Sequence, residues 1–265
     1  MHNRTIQAFN TAVHSPNKIH DDETAAKFGF TGGLVPGVEV YAYMAYWPVN
    51  VWGEDFFHGG RMQGRFFKPV YDGENATIVA NAASDTELAL EVNTAGASPA
   101  AVGVASLGNA HAVPQLATAP RGSVEGRPDA SPASLPICKV LGTIHETFNA
   151  EESRWYLDAV RDQQPLFSKA RWAHPGYLLR RANFALALDV QLGPWIHVES
   201  DVSFYSPLKD GEPFETRAVV TDNRDHKGHL MVDLDVVILS GDRPVMGGMH
   251  RAIYEPRQVR ETNVA

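Results

Sequence analysis

One motif occurs twice in this sequence. Residues 66–74 read Phe-Phe-Lys-Pro-Val-Tyr-Asp-Gly-Glu, and residues 204–212 read Phe-Tyr-Ser-Pro-Leu-Lys-Asp-Gly-Glu, at an offset of 138 residues. Upstream, Pro36-Gly37 aligns with Pro175-Gly176 at an offset of 139. A common Asp-Gly turn explains the end of the motif but not the shared register. The repeat therefore predicts a duplicated structural unit.

The order of predicted elements is the same in both halves. Residues 38–47 are apolar nearly all round and are predicted to form a buried helix that stops before Pro48. Residues 177–191 are predicted to form its counterpart, and alternating segments with turn signals follow each helix. Leu230–Leu239 is the clearest predicted strand. A helix followed by several strands, repeated, favours an α+β fold over alternating βαβ units.

The length also suits two units, since 265 residues are enough for two separate cores. We predict an N-terminal module over 1–113, a linker over 114–136 and a C-terminal module over 137–265. The linker segment is rich in Pro, Ala, Ser and Gly. A short helix over 151–161, with Asn149 as its N-cap, is predicted near the start of the second module.

Composition excludes several functional classes. The net charge is −8 and no basic stripe occurs, which argues against a nucleic-acid surface. The single cysteine, Cys138, excludes an internal disulfide, and its neighbours do not mark it as a nucleophile. No signal peptide and no run of about 18 apolar residues is visible. The expectation is a soluble, cytoplasmic protein without a phosphate loop, nucleophile elbow or zinc motif.

The candidate chemistry lies between residues 15 and 37. Asp22 is predicted to cap a short helix that Gly29 ends, which leaves His20 on the preceding loop. Pro36-Gly37 then opens the long buried helix, whose start offers free N–H groups and a partial positive charge. A histidine and an oxyanion donor would thus face one cleft. This arrangement stabilises an enolate beside a thioester while a base moves the α-proton.

This segment resembles the signature of the MaoC-like, (R)-specific enoyl-thioester hydratase (hydratase 2) family. The signature is Asp-x-Asn-Pro-aliphatic-His-x-Asp, then Ala, Gly-Phe, and a His-Gly that opens the central helix. The matching positions are Asn17, Ile19, His20, Asp22, Ala25, Gly29, Phe30 and Gly37. The resemblance implies a tandem (double) hot-dog fold, in which an antiparallel sheet wraps a long helix in each half. It also implies an acyl thioester substrate on coenzyme A or acyl carrier protein, with no metal and no other cofactor.

The chain departs from the signature in both halves. The dyad Asp is replaced by Ser15, the Pro after Asn by Lys18, and the His before the helix Gly by Pro36. In the second half, residues 162–167 keep Asp162 but have Phe at the His position. Because the family's clefts lie between modules, the sequence leaves open whether Asp162 reaches His20.

These observations define the expected site. The resemblance implies that His20 belongs to the catalytic dyad and that the Gly37 N–H belongs to the oxyanion hole. The other expected residues are Asn17, Ser15 and Asp22 beside the reacting water, Val35, Pro36, Tyr41 and Phe30 against the substrate, and Asp162 as a second-half contributor. Three further histidines are weaker candidates: His14, His58 and His174, the last of which echoes the family's His-Gly.

The expected function is the reversible hydration of a 2-enoyl thioester, or the dehydration of a 3-hydroxyacyl thioester. Two alternatives stay open: a hot-dog acyl-CoA thioesterase, and a non-catalytic module that binds acyl thioesters with an eroded dyad. The expected partner is a small acyl thioester, and neither nucleic acid nor a membrane is expected. Acyl carrier protein and a second copy of the chain remain open as partners.

Overall fold

The computed structural model describes residues 1–13, 15, 17–27 and 29–263. In this part of the chain, ten strands form one antiparallel sheet in the order β1-β3-β4-β5-β2-β7-β10-β9-β8-β6. The strands are β1 (His2–Gln7), β2 (Gly60–Phe66), β3 (Asn75–Ser84), β4 (Glu87–Asn93), β5 (Ala101–Leu107), β6 (Ile144–Thr147), β7 (Ile196–Phe204), β8 (Pro213–His226), β9 (His229–Ser240) and β10 (Arg243–Glu255).

Two long helices lie against this sheet and contact each other. They are α2 (Gly37–Trp52) and α5 (Pro175–Ala187). The shorter helices are α1 (Asp22–Lys27), α3 (Arg154–Ala159), α4 (Pro165–Ser168) and α6 (Arg257–Asn263). Among the described residues, no helix is long and apolar enough to cross a membrane. The predicted α+β class is confirmed.

The duplication is visible in equivalent hydrogen bonds. Each Asp-Gly-Glu turn has its glycine at positive φ, +72° at Gly73 and +78° at Gly211, where a residue without Cβ is favoured. The preceding aspartates bind equivalent amides: Asp72 Oδ1 accepts from Asn10 N at 2.7 Å, and Asp210 Oδ1 accepts from Ala150 N at 2.8 Å. The two half-sheets mirror each other and meet where β2 pairs with β7.

The starts of α2 and α5 correct one part of the predicted register. Pro36 and His174 are the N-caps and have similar extended conformations, and the helices begin at Gly37 and Pro175. The offset is therefore 138 here too, and the predicted pairing of Pro36-Gly37 with Pro175-Gly176 is wrong by one residue. Gly37 corresponds to Pro175, which has no N–H to offer.

The ends of both long helices differ from the prediction. Helix α2 does not stop before Pro48 but continues to Trp52, with Pro48 buried inside it. Burial of this apolar helix outweighs the one backbone hydrogen bond that proline removes. Helix α5 ends at Ala187 rather than at residue 191, because Gln191 instead exchanges backbone hydrogen bonds with the linker at Pro128 and Ala130.

The short helix of the second module is also shorter than predicted. Helix α3 covers Arg154–Ala159 rather than 151–161. Asn149 Oδ1 accepts from the amides of Glu151 at 3.0 Å and Glu152 at 3.1 Å. It therefore caps the turn that leads into α3 rather than the helix itself.

The linker over 114–136 runs along the second module. Leu116 O accepts from Arg217, and Asn223 Nδ2 donates to Leu135 O at 2.9 Å. These contacts fasten both ends of the linker to β8. The predicted module limits at residues 113 and 137 stay a prediction.

Candidate functional site

The backbone of His20 is held by the loop that follows it. His20 ends a 3₁₀ turn that begins at Lys18, directly before α1. Asn10 Nδ2 donates to the His20 carbonyl at 2.8 Å. Gly33 packs on the same carbonyl so closely that a Cβ at this position would lie 2.2 Å from the oxygen. These contacts hold the His20 backbone in place.

Backbone contacts also fix the tautomer of the His20 ring. Its Nδ1 lies 2.6 Å from Leu34 O, and a carbonyl only accepts, so Nδ1 carries the proton. The lone pair is then on Nε2, 3.2 Å from Asn17 Nδ2. Burial lowers the pKa of His20 below its usual value, and the Leu34 carbonyl opposes this only in part. The ring is therefore a neutral base with Nε2 as the proton acceptor.

Asn17 connects this base to the second module. Its Oδ1 accepts from Trp195 N at 3.2 Å, and its Nδ2 donates to Trp195 O at 3.0 Å. This pair of contacts fixes which way the amide points. The Nδ2 group therefore lies beside His20 and donates to Nε2, which keeps the lone pair on that nitrogen.

The N-cap of α2 makes no side-chain hydrogen bond to the first amides of the helix. Pro36 has no side-chain acceptor, whereas His174 Nδ1 at the start of α5 accepts from Gly176 N at 3.0 Å. A helix start of this kind attracts anionic oxygen. A Cβ at Gly37 would lie 2.8 Å from His197 Nδ1, so only glycine fits between this ring and the helix.

His20 and Gly37 line the same small pocket of about 30 Å³, here called the junction pocket. The junction pocket shares walls with two larger clefts. The charged cleft, of about 450 Å³, also includes Glu39, Arg127 and Arg180. The apolar cleft, of about 300 Å³, is lined largely by Phe30, Val40, Phe66, Val70, Ile196 and Ile253. A ligand that spans both clefts would pass the base and the helix start.

Ser15 does not take the place of the missing dyad carboxylate. Its hydroxyl donates to Asn17 O at 3.2 Å, within the turn before His20. The residue lines the charged cleft without contacting the His20 ring. Its expected part in positioning the reacting water stays a prediction.

Asp22 is not the cap of α1, contrary to the prediction. Asp21 Oδ1 accepts from Thr24 N at 3.0 Å and caps the helix. Asp22 Oδ1 instead accepts from Gly33 N at 2.6 Å. The Asp22 carboxylate therefore braces the loop that packs on His20, since it is turned towards the amide of that loop. As predicted, Gly29 ends the helix at positive φ.

The expected substrate contacts divide into two groups. Val35 and Pro36 line the junction pocket, and Phe30 lines the apolar cleft. Tyr41 lies in the core with no exposed surface, and its hydroxyl donates to Met62 O at 3.1 Å. The structure does not bring Tyr41 to any of these three cavities.

Asp162 contacts His174 rather than His20. Its Oδ2 lies 3.2 Å from His174 Nε2, and both side chains are 1% exposed. Burial alone would raise the pKa of Asp162, but the hydrogen bond with His174 holds it below its usual value. The pair supports the start of α5, because His174 also accepts from Gly176 N. The hypothesis that Asp162 reaches His20 is therefore wrong.

The second module has no room for an equivalent site. A Cβ on Gly176 would lie 2.4 Å from Tyr156 Oη and 2.5 Å from Ala42 Cβ, so the start of α5 is filled by protein. Of the weaker histidine candidates, His58 is exposed beyond the end of α2, and His14 lies outside the described residues.

Glu39 is a residue that sequence reasoning missed. It is the one charged residue in α2 and has no exposed surface. Its Oε1 accepts from Thr11 Oγ1 at 2.9 Å and lies 3.3 Å from Arg180, while Oε2 has no partner among the described residues. Burial raises the pKa of Glu39, and Arg180 opposes this. A single charge in an otherwise apolar helix was the available signal.

His197 is a second residue that was missed. Its Nε2 lies 2.8 Å from Ser200 Oγ, which lies 2.9 Å from His250 Nδ1. Burial lowers the pKa of both histidines, to about 3 for His250, so both rings are neutral. His197 Nδ1 has no partner within the described part of the chain. No local sequence pattern predicts the contact between His197 and Gly37, because the two residues belong to different modules.

No protein-family model matches the sequence, and no curated protein matches it either. Solved structures do match. A protein from Chloroflexus aurantiacus assigned as a MaoC domain dehydratase is 9% identical, with a TM-score of 0.65 over 96% of this chain and 93% of that chain. A conserved hypothetical protein from Mycobacterium tuberculosis, described as a double hotdog fold, is 12% identical, with a TM-score of 0.58 over 96% of each chain.

The same search also matches a different activity class. A protein from Lactobacillus plantarum assigned as an oleoyl thioesterase is 11% identical, with a TM-score of 0.51 over 96% of each chain. At these identities the likeness concerns the fold. The chain therefore has the double hot-dog fold, which it shares with solved MaoC-like dehydratases.

Proposed function

We propose that the protein catalyses the reversible hydration of a 2-enoyl thioester to a 3-hydroxyacyl thioester. One observation carries the proposal. His20 lines the same junction pocket as Gly37 at the start of α2. The contact between its Nδ1 and Leu34 O leaves the basic lone pair on Nε2. A base and a helix start in one small pocket suit a reaction that moves a proton while an oxyanion forms.

The chemistry needs only one base. Water takes the place of Asn17 Nδ2 at His20 Nε2 and attacks Cβ, and its proton passes to Nε2 as the C–O bond forms. The π electrons move towards the thioester oxygen, and the Gly37 N–H and the α2 dipole stabilise the enolate. His20 then returns the proton to Cα, which completes the addition of one water. Because His20 both takes and returns the proton, a serine at position 15 does not prevent this route.

The two larger clefts suit the two ends of an acyl thioester. The apolar cleft has the lining that an acyl chain requires. The charged cleft includes Arg127, whose Nε donates to Val124 O at 2.8 Å and whose NH1 contacts Ala187 O. Both of these partners are backbone carbonyls, so the positive charge of Arg127 is available to a phosphate. We propose coenzyme A or acyl carrier protein as the carrier, with no further cofactor.

A thioesterase is the second candidate, and Glu39 favours it. The buried Oε2 of Glu39 lies in the first turn of α2, two residues after Gly37, and the residue lines the charged cleft. A carboxylate there would direct water at the thioester carbonyl instead of at Cβ. The assigned thioesterase with the same fold supports this alternative.

Crotonyl-CoA tests these alternatives in one assay that follows the enoyl absorbance and free thiol together. We expect the absorbance to fall without thiol release. Replacing the base (His20→Ala) should lower kcat roughly 10²–10⁴-fold, the range for general acid–base catalysis. His58→Ala, at an exposed histidine, is the matched control and should retain full activity.

The other outcomes of this assay would support a different function or a different base. Thiol release would support the thioesterase, and neither signal would support a non-catalytic binding protein. Intact hydration in His20→Ala would show that the base is another residue.

A further inference from the structure

Helix α5 of the second module places an amide side chain in the junction pocket. Asn183 lines both this pocket and the charged cleft, so it stands beside the cavity that contains His20 and Gly37. Its Oδ1 is buried and has no hydrogen-bond partner among the described residues. A buried amide oxygen without a donor is costly, and such an atom requires an explanation.

The internal repeat has an apolar residue at the equivalent position of the other long helix. The offset of 138 that relates the starts of α2 and α5 pairs Asn183 with Ala45. Ala45 is fully buried in α2. The same helix position is therefore a core methyl group in one module and an amide facing a cavity in the other. Packing alone would be satisfied by alanine, which also favours helix more strongly.

Most of the other polar groups of the pocket already have partners. The backbone of Trp195 bonds to the Asn17 amide, and Ser15 donates to Asn17 O. His197 Nδ1 also has no partner among the described residues, but it is buried directly against Gly37. Asn183 Oδ1 is thus an acceptor in this pocket to which no described residue donates. The basic acceptor of the pocket is His20 Nε2.

We infer that Asn183 Oδ1 binds the reacting water opposite His20, and so supplies from the second module the acceptor that Ser15 does not provide. This inference rests on the proposed hydration. Water has two hydrogens: one is accepted by His20 Nε2 and transferred, and the other is held by Asn183 Oδ1. An amide cannot take the proton, so Asn183 orients the water and His20 remains the base. With both hydrogens held, the oxygen lone pair is directed at Cβ.

Two substitutions at this position test the inference. With crotonyl-CoA, Asn183→Ala should lower kcat on the order of 10²-fold, as removal of one positioned hydrogen-bonding group does. KM should change little, because the water is not part of the thioester. Asn183→Asp keeps an acceptor oxygen at the same place and should recover part of the lost kcat. Asn50→Ala, at an exposed asparagine on α2, is the matched control and should leave kcat unchanged.

Thermal unfolding separates this role from a structural one. Asn183→Ala removes an unsatisfied oxygen and adds a better helix former, so its midpoint should stay equal or rise. A lower midpoint with unchanged kcat would make Asn183 structural and overturn the inference. The inference would also be wrong if Asn183→Asp were no more active than Asn183→Ala, or if Asn183→Ala changed only KM.

The same measurements keep the two proposals apart. If the wild type hydrates crotonyl-CoA, and His20→Ala lowers kcat while Asn183→Ala leaves it unchanged, the inference alone is wrong. If the wild type does not hydrate the substrate, the proposed function is wrong and the inference falls with it.

Discussion

At the scale of single residues, the candidate base is set by backbone groups rather than by a carboxylate. Leu34 O holds the proton on His20 Nδ1, and Asn17 Nδ2 faces Nε2. A carboxylate beside the ring would favour its charged form, whereas burial favours the neutral one. With Ser15 in place of the signature Asp, His20 is a neutral histidine whose Nε2 lone pair faces Asn17 Nδ2, and both residues line the junction pocket.

The pH dependence of hydration should reflect this arrangement. His20 acts with an unprotonated Nε2, so kcat/KM should fall as the pH drops through its pKa. Burial holds that pKa below 6.5. Neither Asn17 nor Leu34 titrates, so the rate should hold from neutral pH down to about 6.5 and decline only below it. A pH–rate profile of the wild type checks this, and half-maximal activity at or above pH 6.5 would contradict the buried neutral ring.

The residues that the sequence could predict are those within one short segment. His20, Asn17 and Gly37 share a local signature, and the structure brings them to one pocket. Asn183 and His197 could not be predicted, because they come from the other module and no local pattern marks them. The exchange of roles between Asp21 and Asp22 depended on the loop at Gly33, which the sequence does not place.

At the scale of elements, α2 and α5 are joined by one buried ion pair. Glu39 of α2 has no exposed surface, and Arg180 of α5 has only 18% of its side chain exposed. Removal of one member of such a pair leaves an unpaired charge in the low-dielectric interior of the protein. The raised pKa of Glu39 has the same cause, since burial favours the protonated form of this carboxyl group.

A double-mutant cycle should reveal this coupling. Arg180→Met should lower the free energy of unfolding by about 2–4 kcal/mol, because it leaves Glu39 buried without its cation. Glu39→Gln should cost less in the Arg180→Met background than in the wild type, because the charge is then no longer stranded. Urea unfolding of the four proteins measures both effects. Strictly additive losses would show that the pair is not coupled.

Sequence patterns predicted the existence of the helices better than their ends. The apolar run after Gly37 identified α2, but the proline rule placed its end before Pro48, where burial prevails. The prediction for the end of α5 was wrong because the backbone of Gln191 bonds to the linker instead. Such competition between local propensity and distant contacts is not readable from a local window.

At the scale of the whole molecule, the two modules have diverged into unequal partners. In the first, the start of α2 carries the Gly37 amide. In the second, the corresponding residue is Pro175, and Tyr156 fills the space around Gly176. The repeat predicted this shared architecture, but not the contacts between modules. Through Trp195 and Asn183, the second module forms part of the junction pocket as well as enclosing it.

Hydration of crotonyl-CoA in deuterium oxide shows whether His20 transfers the proton to Cα. If His20 delivers a proton to Cα beside the Gly37 amide, the product should be 3-hydroxybutyryl-CoA with one deuteron at Cα, seen by proton NMR. His20→Ala should form this product roughly 10²–10⁴-fold more slowly. Free thiol and crotonate without deuterium at Cα, or deuterated product at an unchanged rate in His20→Ala, would contradict this account.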